Sequence, residues 1–141
     1  MRISSRVLIV DDDEVAREVM RTILHAEGCA VTTAESGSRA LDLLKTGAYH
    51  LVVLDINMPG VDGLEVLTRL KQGDTAADSS VIMTSARNDL ETVMRCVDLG
   101  ADSYLLKPVD PALFVERALG ALRRYRARQW KQERERAAIS A

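Results

Sequence analysis

The 141-residue chain has no apolar run approaching the ~20 residues that a membrane-crossing helix requires. Its opening segment, MRISSRVLIV, has too short an apolar stretch for a signal peptide and no small-residue cleavage site. Cysteine is scarce: Cys29 and Cys96 are the only two, and they lack metal-ligand spacing. Without an export signal they read as reduced core thiols of a cytoplasmic protein. Aromatic residues make up 4% of the chain, too few for a platform that stacks single-stranded bases. There is no glycine-rich P-loop and no GxGxxG segment, which sets aside the common nucleotide-binding motifs. An excess of one charge is also missing. Nineteen Lys and Arg stand against 21 Asp and Glu, a net charge of −2, which argues against a dedicated nucleic-acid binder.

What is present fits one soluble α/β domain. Four short apolar runs, Val7 to Val10, Leu51 to Leu54, Val81 to Met83 and Tyr104 to Leu106, are bounded by polar residues, as buried parallel strands are. A weaker strand alternates at Cys29, Val31 and Thr33. Helical spacing lies between the runs. Val15, Val19 and Ile23 share a face, with Met20 and Leu24 beside them. Leu90, Val93, Met94 and Val97 follow i, i+3, i+4, i+7, and Val115, Ala118, Leu119 and Leu122 repeat that spacing. Two less regular helices fall around Ala40 to Leu44 and Leu64 to Leu70. Asp110 as N-cap and Pro111 at the first helical position start the last helix. The alternation predicts a five-stranded parallel sheet with helices on both faces. The segment Gly73 to Ser80 reads as a loose loop, and the methionines read as gap-fillers of the core.

The residues at the strand ends are polar. The first strand runs into Asp11, Asp12 and Asp13, the third into Asp55, the fourth into Thr84 and Ser85, and the fifth into Lys107. In a parallel sheet these ends share one edge, where ligands bind. Like-charged carboxylates ~5 Å apart, at an effective dielectric of ~20, repel by about 3 kcal/mol per pair. Lys107 offsets one charge, and a hard divalent cation such as Mg²⁺ offsets more at an all-oxygen site. Taken singly, Asp13 reads as a helix cap, Asp55 as a turn starter before Pro59–Gly60, and Thr84 as a strand residue. His25 and His50 adjoin no motif and read as surface or half-buried residues.

Four segments together resemble a two-component response regulator receiver domain: VLIVDDD at 7–13, LVVLDINMPGVDG at 51–63, VIMTSA at 81–86 and GADSYLLKPVDP at 100–111. The resemblance covers roughly residues 5–125. It implies a flavodoxin-like sheet of strand order 2-1-3-4-5 and a phosphorylation-dependent switch that catalyses only its own phosphorylation and dephosphorylation. It implies Asp55 as phosphoacceptor for a histidine kinase or histidine phosphotransfer protein. Asp12 would be a direct Mg²⁺ ligand, Asp11 a ligand through water and the Asn57 backbone carbonyl the third protein ligand, with Mn²⁺ as a substitute metal. Lys107 would contact the phosphoryl group, Ser85 would be the switch hydroxyl, and Tyr104 the aromatic that moves with it. The Lys107–Pro108 bond falls where the family uses a cis peptide. Arg87, two positions after Ser85, is expected to lean toward the phosphoryl group and alter its lifetime.

The competing reading is a haloacid-dehalogenase-type phosphatase, through Asp11-x-Asp13. It leaves Asp55 and its Pro-Gly turn unexplained and lacks the further acidic pair beyond the lysine strand. By the resemblance, the phosphorylation state is read on the surface of the fourth helix, fifth strand and fifth helix, and the kinase docks near Asp55 against the first helix. One receiver subfamily, the winged-helix transcription regulators, dimerises on that readout surface through a charge set. Asp102 and Arg117 match members of it, while Val93 and Leu113 fall where charges belong, which leaves that homodimer open.

The near-neutral charge conceals a division. Residues 1–122, the receiver portion, carry 12 basic and 19 acidic side chains, a net −7. Residues 123–141 carry 7 basic and 2 acidic, a net +5. A continuous helix from Pro111 to about residue 138 would be ~42 Å long. The tail reads as a basic helical extension or as a linker to an output domain of a larger regulator. One basic helix alone supports only non-specific nucleic-acid contact.

Overall fold

The computed structural model describes residues 4–76 and 78–140. Among them, strands and helices alternate as β1 (Arg6–Val10), α1 (Glu14–Ala26), β2 (Ala30–Ala34), α2 (Gly37–Thr46), β3 (Leu51–Asp55), α3 (Gly63–Lys71), β4 (Ser80–Ser85), α4 (Leu90–Asp98), β5 (Ser103–Leu106) and α5 (Pro111–Ser140). The strands form one parallel sheet in the order β2-β1-β3-β4-β5. No helix among the described residues is long and apolar enough to cross a membrane.

Strand alternation splits the core into two layers. Leu8, Val10, Val52, Leu54, Val81 and Met83 face α2, α3 and Cys96 of α4. Val7, Ile9, Leu51, Val53, Ile82 and Leu105 face α1 and α5, where they meet Met20, Leu24, Phe114 and Ala118. A strand packed on both faces is apolar through its middle, which is why residues 7–10 of β1, 51–54 of β3 and 81–83 of β4 read as unbroken runs. The helices begin at the carboxyl edge of the sheet, each on a side-chain cap. Asp13, Ser36, Asp62, Asp89 and Asp110 accept from the backbone N–H groups of Val15, Arg39, Glu65, Thr92 and Leu113.

Two amphipathic patterns mark real helices but not the faces they bury. In α1 the core takes Met20 and Leu24, while Val15 is 70% and Val19 47% exposed. In α4 only Cys96 is buried, and the stripe at Leu90, Met94 and Val97 faces solvent. Met94 is therefore no gap-filler, unlike Met20, Met58 and Met83. The strand expected at Cys29 to Thr33 lies one residue later, with Cys29 buried just before it. The stretch read as a loose loop is tied down at both ends. Ala76 N–H donates to the Leu44 carbonyl, Ser79 Oγ to the Tyr49 carbonyl at 2.6 Å, and Ser80 opens β4.

The first half of the basic tail packs on the domain. Ser80 Oγ donates to the Ala121 carbonyl at 2.9 Å, and Arg128 donates to Ser80 Oγ at 3.0 Å. Arg126 bonds Ser5 Oγ, Arg124 and Arg128 pair with Asp102, and Tyr125 lies 4.9 Å from the His50 ring. From Gln129 onward the described side chains are exposed or half-buried.

Candidate functional site

The site grows out of strand periodicity. Two residues beyond the core positions Ile9, Val53 and Leu105, on the same sheet face, come Asp11, Asp55 and Lys107. Asp11 is fully buried and Asp55 is 2% exposed, whereas Asp12 is solvent-exposed at the rim. Each of the three aspartates presents a carboxylate oxygen within 4.8 Å of the others. The Lys107 ammonium reaches across to them, 2.7 Å from Asp11 Oδ2 and 3.2 Å from Asp55 Oδ2. The Lys107–Pro108 peptide that follows is cis.

Burial and the neighbouring Asp11 charge push the Asp55 pKa up from 3.8 to about 6, against the opposing pull of Lys107 and of the Asn57 N–H. Burial works against the Lys107 charge as well. The hydrogen bond to Asp11 and the charges of Asp55 and Asp11 overcome it and hold the ammonium above its ordinary pKa.

The Ser85 hydroxyl is held on a second line of contacts. Fully buried, it accepts from Asn57 Nδ2 at 3.2 Å and from Arg87 N–H at 3.0 Å. Tyr104 Oη donates to the Arg87 carbonyl, so strand ends and aromatic meet on one short loop. The Arg87 guanidinium turns to Asp89, 3.1 Å away, at the N-cap of α4. Asp13 caps α1 and lies outside the carboxylate cluster.

Two contributors escape sequence reasoning. Arg17 of α1 donates to the Asp11 carbonyl at 2.8 Å, a pairing that depends on how α1 docks. Gly63 packs against the backbone of the reacting strand: a Cβ there would lie 2.2 Å from the Asp55 carbonyl oxygen and 2.8 Å from Ile56 Cα. The signal available is its place in the MPGVDG segment, which does not disclose the contact.

The donor set fits a hard divalent cation. Three carboxylates face one ammonium, and no hydrogen bond reaches the buried Asp11 Oδ2 beyond its ion pair with Lys107. Beside the cluster runs a groove of about 460 Å³, lined by Val15, Ala16 and Val19 of α1 and by Lys107, Pro108 and Val109.

A doubly wound sheet in this strand order, with a carboxylate cluster and a lysine at its carboxyl edge, defines a flavodoxin-like signalling domain. The chain belongs to the response regulator receiver domain family, which it matches over residues 7–119. Domains of this family are the phosphorylation-dependent switches of two-component systems and bind Mg²⁺ at an acidic pocket. Over 117 residues the chain is 38% identical to the uncharacterised transcriptional regulatory protein YkoG of Bacillus subtilis, covering 83% of this chain and 50% of that one. It is 39% identical over 109 residues to the two-component response regulator ORR6 of Oryza sativa subsp. japonica, covering 75% and 64%. The CheY-like receiver domain of Methanospirillum hungatei superposes with a TM-score of 0.80 at 29% identity, over 89% of this chain and 99% of that one. The chain spans about half the length of the bacterial relatives it matches.

Proposed function

We propose that this receiver takes its phosphoryl group on Asp55. A histidine kinase or histidine phosphotransfer protein supplies it as phosphohistidine. The Asp55 carboxylate attacks phosphorus, the P–N bond breaks, and its electron pair leaves with the imidazole. Asp12, Asp55 and the Asn57 carbonyl hold Mg²⁺ or Mn²⁺, with Asp11 acting through water. When bound, the metal neutralises charge on the transferring group. Lys107 moves from the carboxylates to a phosphoryl oxygen. Ser85 turns to another, and Tyr104 fills the space behind it, a shift of population between two arrangements. Arg87, beside Ser85, tunes the lifetime of the acyl phosphate. The chain turns over no other substrate.

The observation that carries this reading is the meeting of Asp11, Asp12 and Asp55 within 4.8 Å, with one ammonium reaching two of them. The test is phosphorylation by a small acyl phosphate with Mg²⁺, read by intact mass. The wild-type chain gains one phosphoryl group and Asp55→Asn gains none. Equal labelling of the variant removes the assignment.

The apolar groove between α1 and Pro108 suits the phosphodonor protein, since it is lined by Lys107, whose ammonium reaches Asp55. The α4–β5–α5 surface is the output face. Its exposed Leu90, Met94, Val97 and Leu106 favour apolar contact. A homodimer through the Asp102 charge set would compete with a contact within the chain: Asp102 accepts from Val81 N–H at 2.7 Å on one oxygen and pairs with Arg124 at 3.6 Å on the other. Residues 1–122 form the receiver, and 123–141 continue as a helical extension or linker to an output domain. The basic tail by itself gives only non-specific nucleic-acid contact. The setting is the cytoplasm.

A further inference from the structure

Asp12 is exposed at the rim of the carboxylate cluster, and among the described residues no hydrogen bond or ion pair holds its side chain. Asp11 beside it is held at every polar atom. Its N–H donates to the Ala34 carbonyl at 3.1 Å, its Oδ1 accepts from the Asp13 N–H at 2.9 Å, and its Oδ2 meets the Lys107 ammonium at 2.7 Å. Its carbonyl accepts from Arg17 Nη1 at 2.8 Å. The phosphoryl transfer proposed above gives Arg17 no part.

These contacts decide where Asp12 sits. A peptide unit is planar, so tying down its carbonyl or its N–H restrains the whole plane. The unit before the Asp12 Cα carries the Asp11 carbonyl, tied to Arg17. The unit after it carries the Asp13 N–H, tied to Asp11 Oδ1. Between them the two planes set the direction in which the Asp12 side chain leaves the backbone. Arg17 is itself half-buried, on a helix docked to the sheet through Met20 and Leu24, so its end of the tie is firm. Without the guanidinium, the plane before Asp12 is free to turn while the plane after it stays tied.

We propose that Arg17 is a positioning residue for the metal site: its hold on the Asp11–Asp12 peptide aims the Asp12 carboxylate and makes the site select Mg²⁺ over the larger Ca²⁺. The proposal rests on the assignment of Asp11, Asp12 and Asp55 to the metal and goes beyond it. Mg²⁺ demands near-ideal octahedral geometry, whereas Ca²⁺ accepts more oxygens at longer and more variable distances. A carboxylate aimed by two restrained planes suits the stricter ion. With one plane free, Mg²⁺ loses affinity that Ca²⁺ keeps. The positive charge of Arg17 works in the opposite sense, since it repels any cation at the site. That repulsion acts alike on two ions of equal charge and cancels from the ratio of their affinities.

Separate titrations of the full chain with Mg²⁺ and with Ca²⁺, well below its melting temperature and read from amide resonances, test this. Arg17→Met keeps an apolar stem and removes the guanidinium. Its ratio of Ca²⁺ Kd to Mg²⁺ Kd should fall about five-fold below that of wild type, the factor that one ordinary hydrogen bond represents. Arg17→Lys keeps a donor for the single bond to the Asp11 carbonyl and should hold the wild-type ratio. Met20→Ala loosens the same helix from the core without touching that carbonyl. It should melt lower than wild type and still hold the ratio. A wild-type chain that binds Ca²⁺ as tightly as Mg²⁺, an unchanged ratio in Arg17→Met, an Arg17→Lys chain as unselective as Arg17→Met, or a Met20→Ala chain that loses the ratio equally overturns the proposal. A wild-type chain that binds neither ion, or an Asp12→Ala chain that binds Mg²⁺ as tightly as wild type, overturns the metal assignment instead.

Discussion

The Lys107 ammonium stands closer to Asp11 than to Asp55, 2.7 Å against 3.2 Å. The lysine therefore compensates the buried neighbour first and leaves the reacting carboxylate under-neutralised. Burial and the neighbouring Asp11 charge raise the Asp55 pKa to about 6 in spite of that ammonium. That deficit is useful chemistry. A carboxylate tightly paired to an ammonium is a poor nucleophile, and one held at a cost in folding energy gains from taking a cation or an electrophile.

The cost can be measured as stability. A rise from 3.8 to about 6 corresponds to about 3 kcal/mol against folding once Asp55 is ionised. The folded-state pKa lies above the unfolded value, so this penalty is absent below about pH 4 and grows as pH rises through 6. Asp55→Asn removes the charge and leaves Lys107 its ion pair with Asp11. At pH 7 without divalent metal it should be more stable than wild type by roughly 1–3 kcal/mol, several degrees in Tm. The difference should close as the melts are repeated toward pH 4. Equal Tm values at pH 7 would contradict it.

Metal should act in the same direction on the wild-type chain. Mg²⁺ at 100 times its Kd stabilises the folded state by about 2.7 kcal/mol through mass action. Thermal melts with and without Mg²⁺ should separate for wild type. The separation should be much smaller for Asp12→Ala, which removes the exposed rim carboxylate without opening the core. An undiminished Mg²⁺ shift in Asp12→Ala would remove Asp12 from the ligand set.

Arg87 is tied to Asp89 in the unphosphorylated chain, and both side chains are well exposed. Breaking such a surface pair costs under about 1 kcal/mol, so Arg87→Ala should melt close to wild type. If the guanidinium shields the phosphoryl group from water, the variant's acyl phosphate should decay several-fold faster. Decay is followed by loss of the phosphorylated mass after the donor is removed. Identical decay leaves Arg87 only its contact with Asp89.

The tail should divide by stability at about residue 129. Truncation after Leu122 removes Tyr125, Arg126 and Arg128 with their contacts to His50, Ser5, Asp78, Ser80 and Asp102. It should lower Tm by several degrees, with a loss of about 1–3 kcal/mol from the hydrogen bonds and packing given up. Truncation after Gln129 keeps these contacts and should melt as the full chain does. Equal melts for the two truncations would show that the anchor contributes nothing.

Strand identity was readable because burial on both faces writes itself into β1, β3 and β4 as uninterrupted apolar runs. The site was readable for a related reason. Polar residues directly after such runs have nowhere to go except the sheet edge, so Asp11, Asp55, Ser85 and Lys107 could be named from position. Helix faces were another matter. Val15, Val19, Leu90, Met94 and Val97 carry the right period, but a period does not say which side meets the sheet, and these side chains face solvent. Contacts across long separations were also hidden. Ser5 and Arg126 lie 121 residues apart, and nothing in either neighbourhood announces the other. Thr84 was legible as a strand residue, while the absence of a partner for its buried Oγ1 among the described residues depends on three strands at once.

The anchored stretch of α5 has a mechanical consequence. Residues 121–128 are bolted to the edge of the sheet opposite the carboxylates, and residues 129–140 run on as the same helix. Those 12 residues form an arm ~18 Å long at 1.5 Å per residue, so a 10° tilt at the mounting would swing its tip by about 3 Å. A small tilt where the helix is mounted would therefore reach the far end of the arm as a displacement the size of a side chain.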